Sequence, residues 1–124
     1  MKKIVFFLLL INILGGCSSK YMEFSGESEN WEGKYSTNIH GNDEDGSYTF
    51  FYKNGDANSI FKNIEIKVNT SISETKLFEE EHHGANFTMK SSCQNCAVSQ
   101  ENEKIEVTIK WDSQREETFV LDPK

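Results

Sequence analysis

Much of the chain alternates polar and apolar residues with a period of two. Ile105, Val107, Ile109 and Trp111 alternate with Lys104, Glu106, Thr108 and Lys110. Ile64, Ile66 and Val68 alternate with Glu65 and Lys67, and Tyr48, Phe50 and Tyr52 alternate with Thr49, Phe51 and Lys53. Successive side chains of a strand point to opposite faces, so this pattern of β-branched and aromatic residues predicts half-buried strands. Weaker alternation predicts three more, over Trp31 to Ile39, Ala85 to Lys90 and Glu116 to Leu121. Between them lie turn residues: a polar loop from Gly41 to Gly46, the pair Asn54-Gly55, and Asp112-Ser113-Gln114 leading into a final hairpin. Residues 71–81 are ambiguous. Ser71 and Glu74 have capping-box spacing, which would open a short helix, while a strand is the favoured reading. Short strands at this spacing, each with one apolar face, predict an all-β fold, an antiparallel immunoglobulin-like β-sandwich.

The amino end follows a different pattern. Lys2 and Lys3 precede an apolar run from Ile4 to Leu14, broken only by Asn12. A charged start and a short apolar core are the proportions of a secretory signal. A spanning helix needs roughly 20 apolar residues, so the run is too short to remain in the bilayer. The leading charges favour a cytoplasmic amino terminus. The run stops at Leu14-Gly15-Gly16-Cys17, which resembles the lipobox of bacterial lipoproteins, with Gly15 where alanine or serine is commoner. The resemblance implies a diacylglycerol on the Cys17 thiol, cleavage just before it, and room for an N-acyl chain afterwards. Two acyl chains hold a protein stably on a bilayer, whereas one does so marginally. The expected division is a signal peptide over 1–16, a lipidated tether over 17–22 and one β-sandwich domain over 23–124. The expected location is the cell membrane, lipid-anchored and facing outside the cytoplasm. The plainer alternative is an ordinary cleaved signal that happens to contain a cysteine.

Composition narrows the partners. The formal charge is −7, and Lys2 and Lys3 would leave with the signal peptide, making the remainder more acidic. An acidic surface is repelled by nucleic-acid phosphates and anionic headgroups, so no nucleic-acid partner is expected and the membrane contact runs through the lipid. Pro123 is the only proline, and no linker or internal repeat divides residues 17–124. Phe24-Ser25-Gly26-Glu27-Ser28-Glu29-Asn30-Trp31 is similar to the opening of small uncharacterised surface lipoproteins of Gram-positive bacteria. Ile105 to Trp111, followed by Glu117-Thr118-Phe119, is similar to their ending. That resemblance implies a surface lipoprotein with a β-sandwich-like domain and no assigned activity.

The chemistry-bearing residues are few. Cys93-Gln94-Asn95-Cys96 admits a redox couple, half a zinc site or a local disulfide. Redox chemistry favours a cysteine at a helix start, but strand-like residues flank this pair. Zinc takes four ligands, and His82 and His83, adjacent in a strand, point to opposite faces. Outside the cytoplasm thiol pairs oxidise, so a Cys93–Cys96 disulfide across a turn is the favoured reading. Asn42-Asp43-Glu44-Asp45-Gly46 carries oxygen ligands, but Tyr52 stands where an EF-hand loop needs glutamate, which leaves an acidic turn. Glu79-Glu80-Glu81-His82-His83 reads as a charged strand end or loop. His40 has no partner identifiable in the sequence, and Trp31 and Trp111 are candidate core aromatics. No nucleophile signature or phosphate loop is present. The expectation is a non-catalytic binding or structural module, with no cofactor beyond the lipid on Cys17 and with its protein or ligand partner unidentified. The rival is a redox or metal-binding protein using Cys93 and Cys96, with His82 or His83.

Overall fold

A computed structural model describes residues 19–124; Cys17 and the expected signal peptide lie outside the described residues. Eight strands follow one another: β1 (Lys20–Glu27), β2 (Trp31–His40), β3 (Asp43–Tyr52), β4 (Ile60–Asn69), β5 (Glu74–His83), β6 (Asn86–Cys93), β7 (Ile105–Trp111) and β8 (Arg115–Pro123). All neighbouring pairs are antiparallel, in the order β5-β4-β7-β8-β1-β2-β3-β6. The expected all-β antiparallel sandwich is present. In an immunoglobulin constant domain the two sheets are ABED and CFG; here β1, β2 and β3 lie side by side as a meander.

β8 joins the two layers. Residues Arg115 to Leu121 pair with β7, and Asp122 and Pro123 then pair with Ser25 and Phe24 of β1. The crossing is tight: a side chain at Gly26 would meet the Val120 carbonyl oxygen. β5 and β6 form the two ends of the strand order. Although consecutive in the chain, they belong to different layers.

The core follows the alternation. Ile66, Val107 and Ile109 are fully buried, while Lys110 on the opposite face is exposed. The phase changes once in β4, where Phe61 and Ile64 both point inward. Asn63 lies between them at φ 48°, a conformation asparagine tolerates, and the β4–β5 ladder skips the Asn63–Glu80 pair there without changing its register. At one end of the sandwich Trp31, Tyr52, Phe61, Phe87 and Trp111 make a continuous aromatic cluster, with Trp31 and Trp111 edge-on at 5.5 Å. The β1–β2 turn and β8 meet beside it. The Glu117 carboxylate accepts hydrogen bonds from Ser28 Oγ (2.6 Å), Asn30 N (2.9 Å) and Asn30 Nδ2 (2.6 Å).

Two local expectations change, and the ambiguous stretch after Ser71 takes the favoured strand. Lys20 to Met22, expected in the tether, belong to β1, and Met22 is buried against the core. The polar loop from Gly41 to Gly46 shrinks to a two-residue turn at Gly41-Asn42, because Asp43 already pairs with His40. Residues 74–83 form strand β5. Ser71 gives its N–H and hydroxyl to Glu103, not to Glu74, so no capping box forms.

Candidate functional site

The sandwich has an open end, where β1 begins. The β2–β3 turn, the 70–73 turn and the 94–104 loop gather there. Between the diverging edges of β5 and β6 at this end lies a cleft of about 340 Å³. Its floor is Tyr35 and Tyr48, stacked at 4.2 Å, and the hydroxyl-bearing residues Thr70, Ser73, Thr75, Ser91 and Ser99 line its walls.

Glu44 organises the floor. As the second residue of β3 it points inward and is 7% exposed. Its Oε2 accepts from the hydroxyls of Tyr35 (2.5 Å), Thr37 (2.9 Å) and Ser99 (2.8 Å), and its Oε1 accepts the Ser99 N–H (2.7 Å). Burial alone would raise the carboxyl pKa, but the donors from Tyr35, Ser99 and Thr37 outweigh it and hold Glu44 below the usual carboxylate value. Tyr35 is pushed upward by burial and then by its bond to Glu44. Tyr48 is pushed upward by burial and by the charges of Glu44 and Glu103. Gly46 makes room for this arrangement, since a side chain there would strike the Tyr35 ring and hydroxyl.

The 94–104 loop forms the rest of the rim. Cys93 and Cys96 are joined by a disulfide with Cα atoms 6.1 Å apart, enclosing Gln94 and Asn95. Asn95 has φ 53°, and its N–H reaches Asp43 Oδ1 at 3.0 Å. Cys96 N–H bonds the Asn42 carbonyl at 3.0 Å. Glu103, 8% exposed, ties the far side of the loop to Ser71. Lys20, at the start of β1, forms an ion pair with Glu101.

The remaining candidates separate. His82 and His83 sit at the far end of β5, where the His82 ring stacks on Phe87 at 3.8 Å and His83 is exposed. Cys93 lies at the other end of β6, so strand rise places it roughly 20 Å from His82, and the rival's ligands do not converge. The acidic stretch Asp43-Glu44-Asp45 is strand, so Glu44 faces inward while Asp43 and Asp45 face outward. No acidic turn and no shared calcium geometry arise from it. Among the described residues no three His, Cys, Asp or Glu side chains gather in a metal set. Trp31 and Trp111 are core residues. A wider, shallower depression of about 720 Å³ lies on the outer face around Lys34, Thr49 and Phe51. The cleft differs from it in having a buried carboxylate in its wall. Glu44, expected in a turn, belongs to this site, and the available signal was the extension of the Tyr48, Phe50 and Tyr52 face back through Gly46 to Glu44.

No protein-family model, curated protein or solved structure matches the chain.

Proposed function

We propose that the chain is a lipid-anchored extracytoplasmic module that binds, without catalysis, a small uncharged hydroxyl-rich ligand of the sugar class in the cleft at the open end of the sandwich. The observation that carries this reading is the cleft's construction. Stacked tyrosines form an apolar floor, hydroxyls rim it, and a buried ionised carboxylate retains an unoccupied lone pair on Oε1. Such a set matches aromatic-facing C–H surfaces and converging hydroxyl groups, and the Glu44 charge disfavours an anion.

The lipobox at Leu14 to Cys17 supports the anchor. β1 begins three residues after Cys17, so a lipid there would hold the open end, with the cleft, close to the membrane. A redox role would need the Cys93–Cys96 pair to cycle with a partner, and the separation from His82 and His83 leaves a metal short of ligands.

The test is saturation-transfer NMR of the detergent-solubilised full chain with a panel of neutral mono- and disaccharides. Transfer to at least one sugar is expected, together with its loss in Ser91→Trp, which fills the cleft. No transfer to any member at millimolar concentration, or transfer unchanged by Ser91→Trp, overturns the proposal.

A further inference from the structure

β5 ends the strand order, and one of its edges has no neighbour. An unpaired edge presents backbone donors and acceptors in register for another strand. The Thr70 N–H bonds the Ser73 carbonyl at 2.9 Å, closing the β4–β5 hairpin. Hydrogen-bonded and non-hydrogen-bonded pairs alternate along an antiparallel ladder. With Val68 opposite Thr75, Ile66 opposite Leu77 and Ile64 opposite Glu79, these inward residues are the ones bonded to β4. The N–H and C=O of Lys76 and Phe78 therefore project from the open edge.

The side chains on that edge complement one another. Phe78 is 58% exposed on the outer face, a large apolar group beside the charged residues Glu74 and Lys76 of that face. Lys76, two residues before it, is exposed on the same face, and Glu80, two residues after it, is exposed where the β4–β5 ladder skips a pair. Lys76 has only a 3.7 Å contact with Glu74, and Glu80 has no ion-pair partner among the described residues. We propose that β5 pairs antiparallel with β5 of a second copy, about a two-fold axis at Phe78. In this register Phe78 opposes itself, and Lys76 of each chain opposes Glu80 of the other. Residues 76 and 80 are equidistant from 78, so the symmetry creates both ion pairs at once. Moving the axis by one residue to Glu79 would place Glu79 against itself and Phe78 against Glu80, with no Lys–Glu pair between positions 76 and 80. Glu79 faces inward and stays engaged by His82 of its own chain at 2.6 Å. The register thus answers the net charge of −7, which opposes self-association in general. This inference does not rest on the cleft or its ligand.

Cysteine crosslinking on membranes from cells making the full chain tests the register. Opposed Cα atoms in a hydrogen-bonded antiparallel pair lie about 5.5 Å apart, within disulfide reach. After mild oxidation, Phe78→Cys should give a disulfide-linked dimer. Lys76→Cys and Glu80→Cys should each fail alone and link when co-expressed. The outer-face variant Thr108→Cys and the parent chain set the background. Linking of Phe78→Cys no greater than that of Thr108→Cys, or of Lys76→Cys alone as strong as Phe78→Cys, overturns the proposal. Sedimentation of the detergent-solubilised chain gives a readout that keeps Phe78. Lys76→Glu, which turns both ion pairs repulsive, should weaken the dimer at least about tenfold, and Lys76→Glu with Glu80→Lys should restore it. A dimer indifferent to both changes, or a parent chain that sediments as a monomer, also overturns it.

Discussion

Replacing Glu44 with glutamine keeps the shape of the side chain and removes its charge. Four hydrogen bonds converge on the carboxylate, three on Oε2 and one on Oε1. Bonds to a charged acceptor contribute about 1.5–3 kcal/mol each, against about 0.5–1.5 kcal/mol for neutral partners. Glutamine retains a carbonyl for the Ser99 N–H, and its amide must be accommodated by hydroxyls that rotate to accept. The neutral amide is cheaper to bury than the carboxylate, which offsets part of the loss. The expected net cost at pH 7 is about 1–3 kcal/mol, equivalent to about 5–15 °C in Tm for a domain of this size. The pH dependence gives the sharper test. The folded-state pKa of Glu44 lies below its ordinary value, so its contribution is present above the unfolded pKa and lost as pH falls through the folded one. Urea denaturation of parent and Glu44→Gln should therefore show a gap at pH 7 that narrows steadily below about pH 4.5. Equal stability at pH 7, or a gap that does not change with pH, would refute the claim that an ionised Glu44 holds the cleft floor.

Ile66→Ala should destabilise the fold by about 2–5 kcal/mol in urea titration, because Ile66 is fully buried between the layers, and far-ultraviolet circular dichroism should remain β-type. Cys93→Ser with Cys96→Ser should cost about 2 kcal/mol or less, since the enclosed loop is short; the same denaturation series measures it, and global unfolding would contradict it. Gly46→Ala should cost about 1–3 kcal/mol by displacing Tyr35 and should perturb the Tyr35 and Ser99 resonances in NMR while leaving those of Trp111 in place, because the clash is confined to the cleft floor.

The stretches with clean alternation, residues 48–53 of β3, 64–68 of β4 and 105–111 of β7, were legible because one face of each is buried and the other more exposed, so the pattern records the fold directly. β1 was hidden by its composition. Tyr21, Met22 and Phe24 alternate only briefly before Ser25 and Gly26, where the approach of β8 demands a residue without a side chain. The 41–46 stretch misled because aspartate, asparagine and glycine are turn residues by local chemistry, whereas pairing with β2 and the need to house Tyr35 and Glu44 are long-range demands. The cleft draws Glu44 from β3, Tyr35 from β2, Thr75 from β5 and Ser99 from the loop after β6. None of these contacts leaves a spacing signature, because sheet order rather than sequence distance brings them together.

The mass of the amino-terminal peptide, from chain extracted from the membranes of producing cells, tests the lipid-anchored module most directly. A peptide that begins at Cys17 and carries two or three acyl chains is the expected result, with hydroxylamine releasing the ester-linked acids. A peptide that begins elsewhere, or one containing Cys17 as a free thiol, would contradict the anchor and remove the reason for placing the cleft at the membrane.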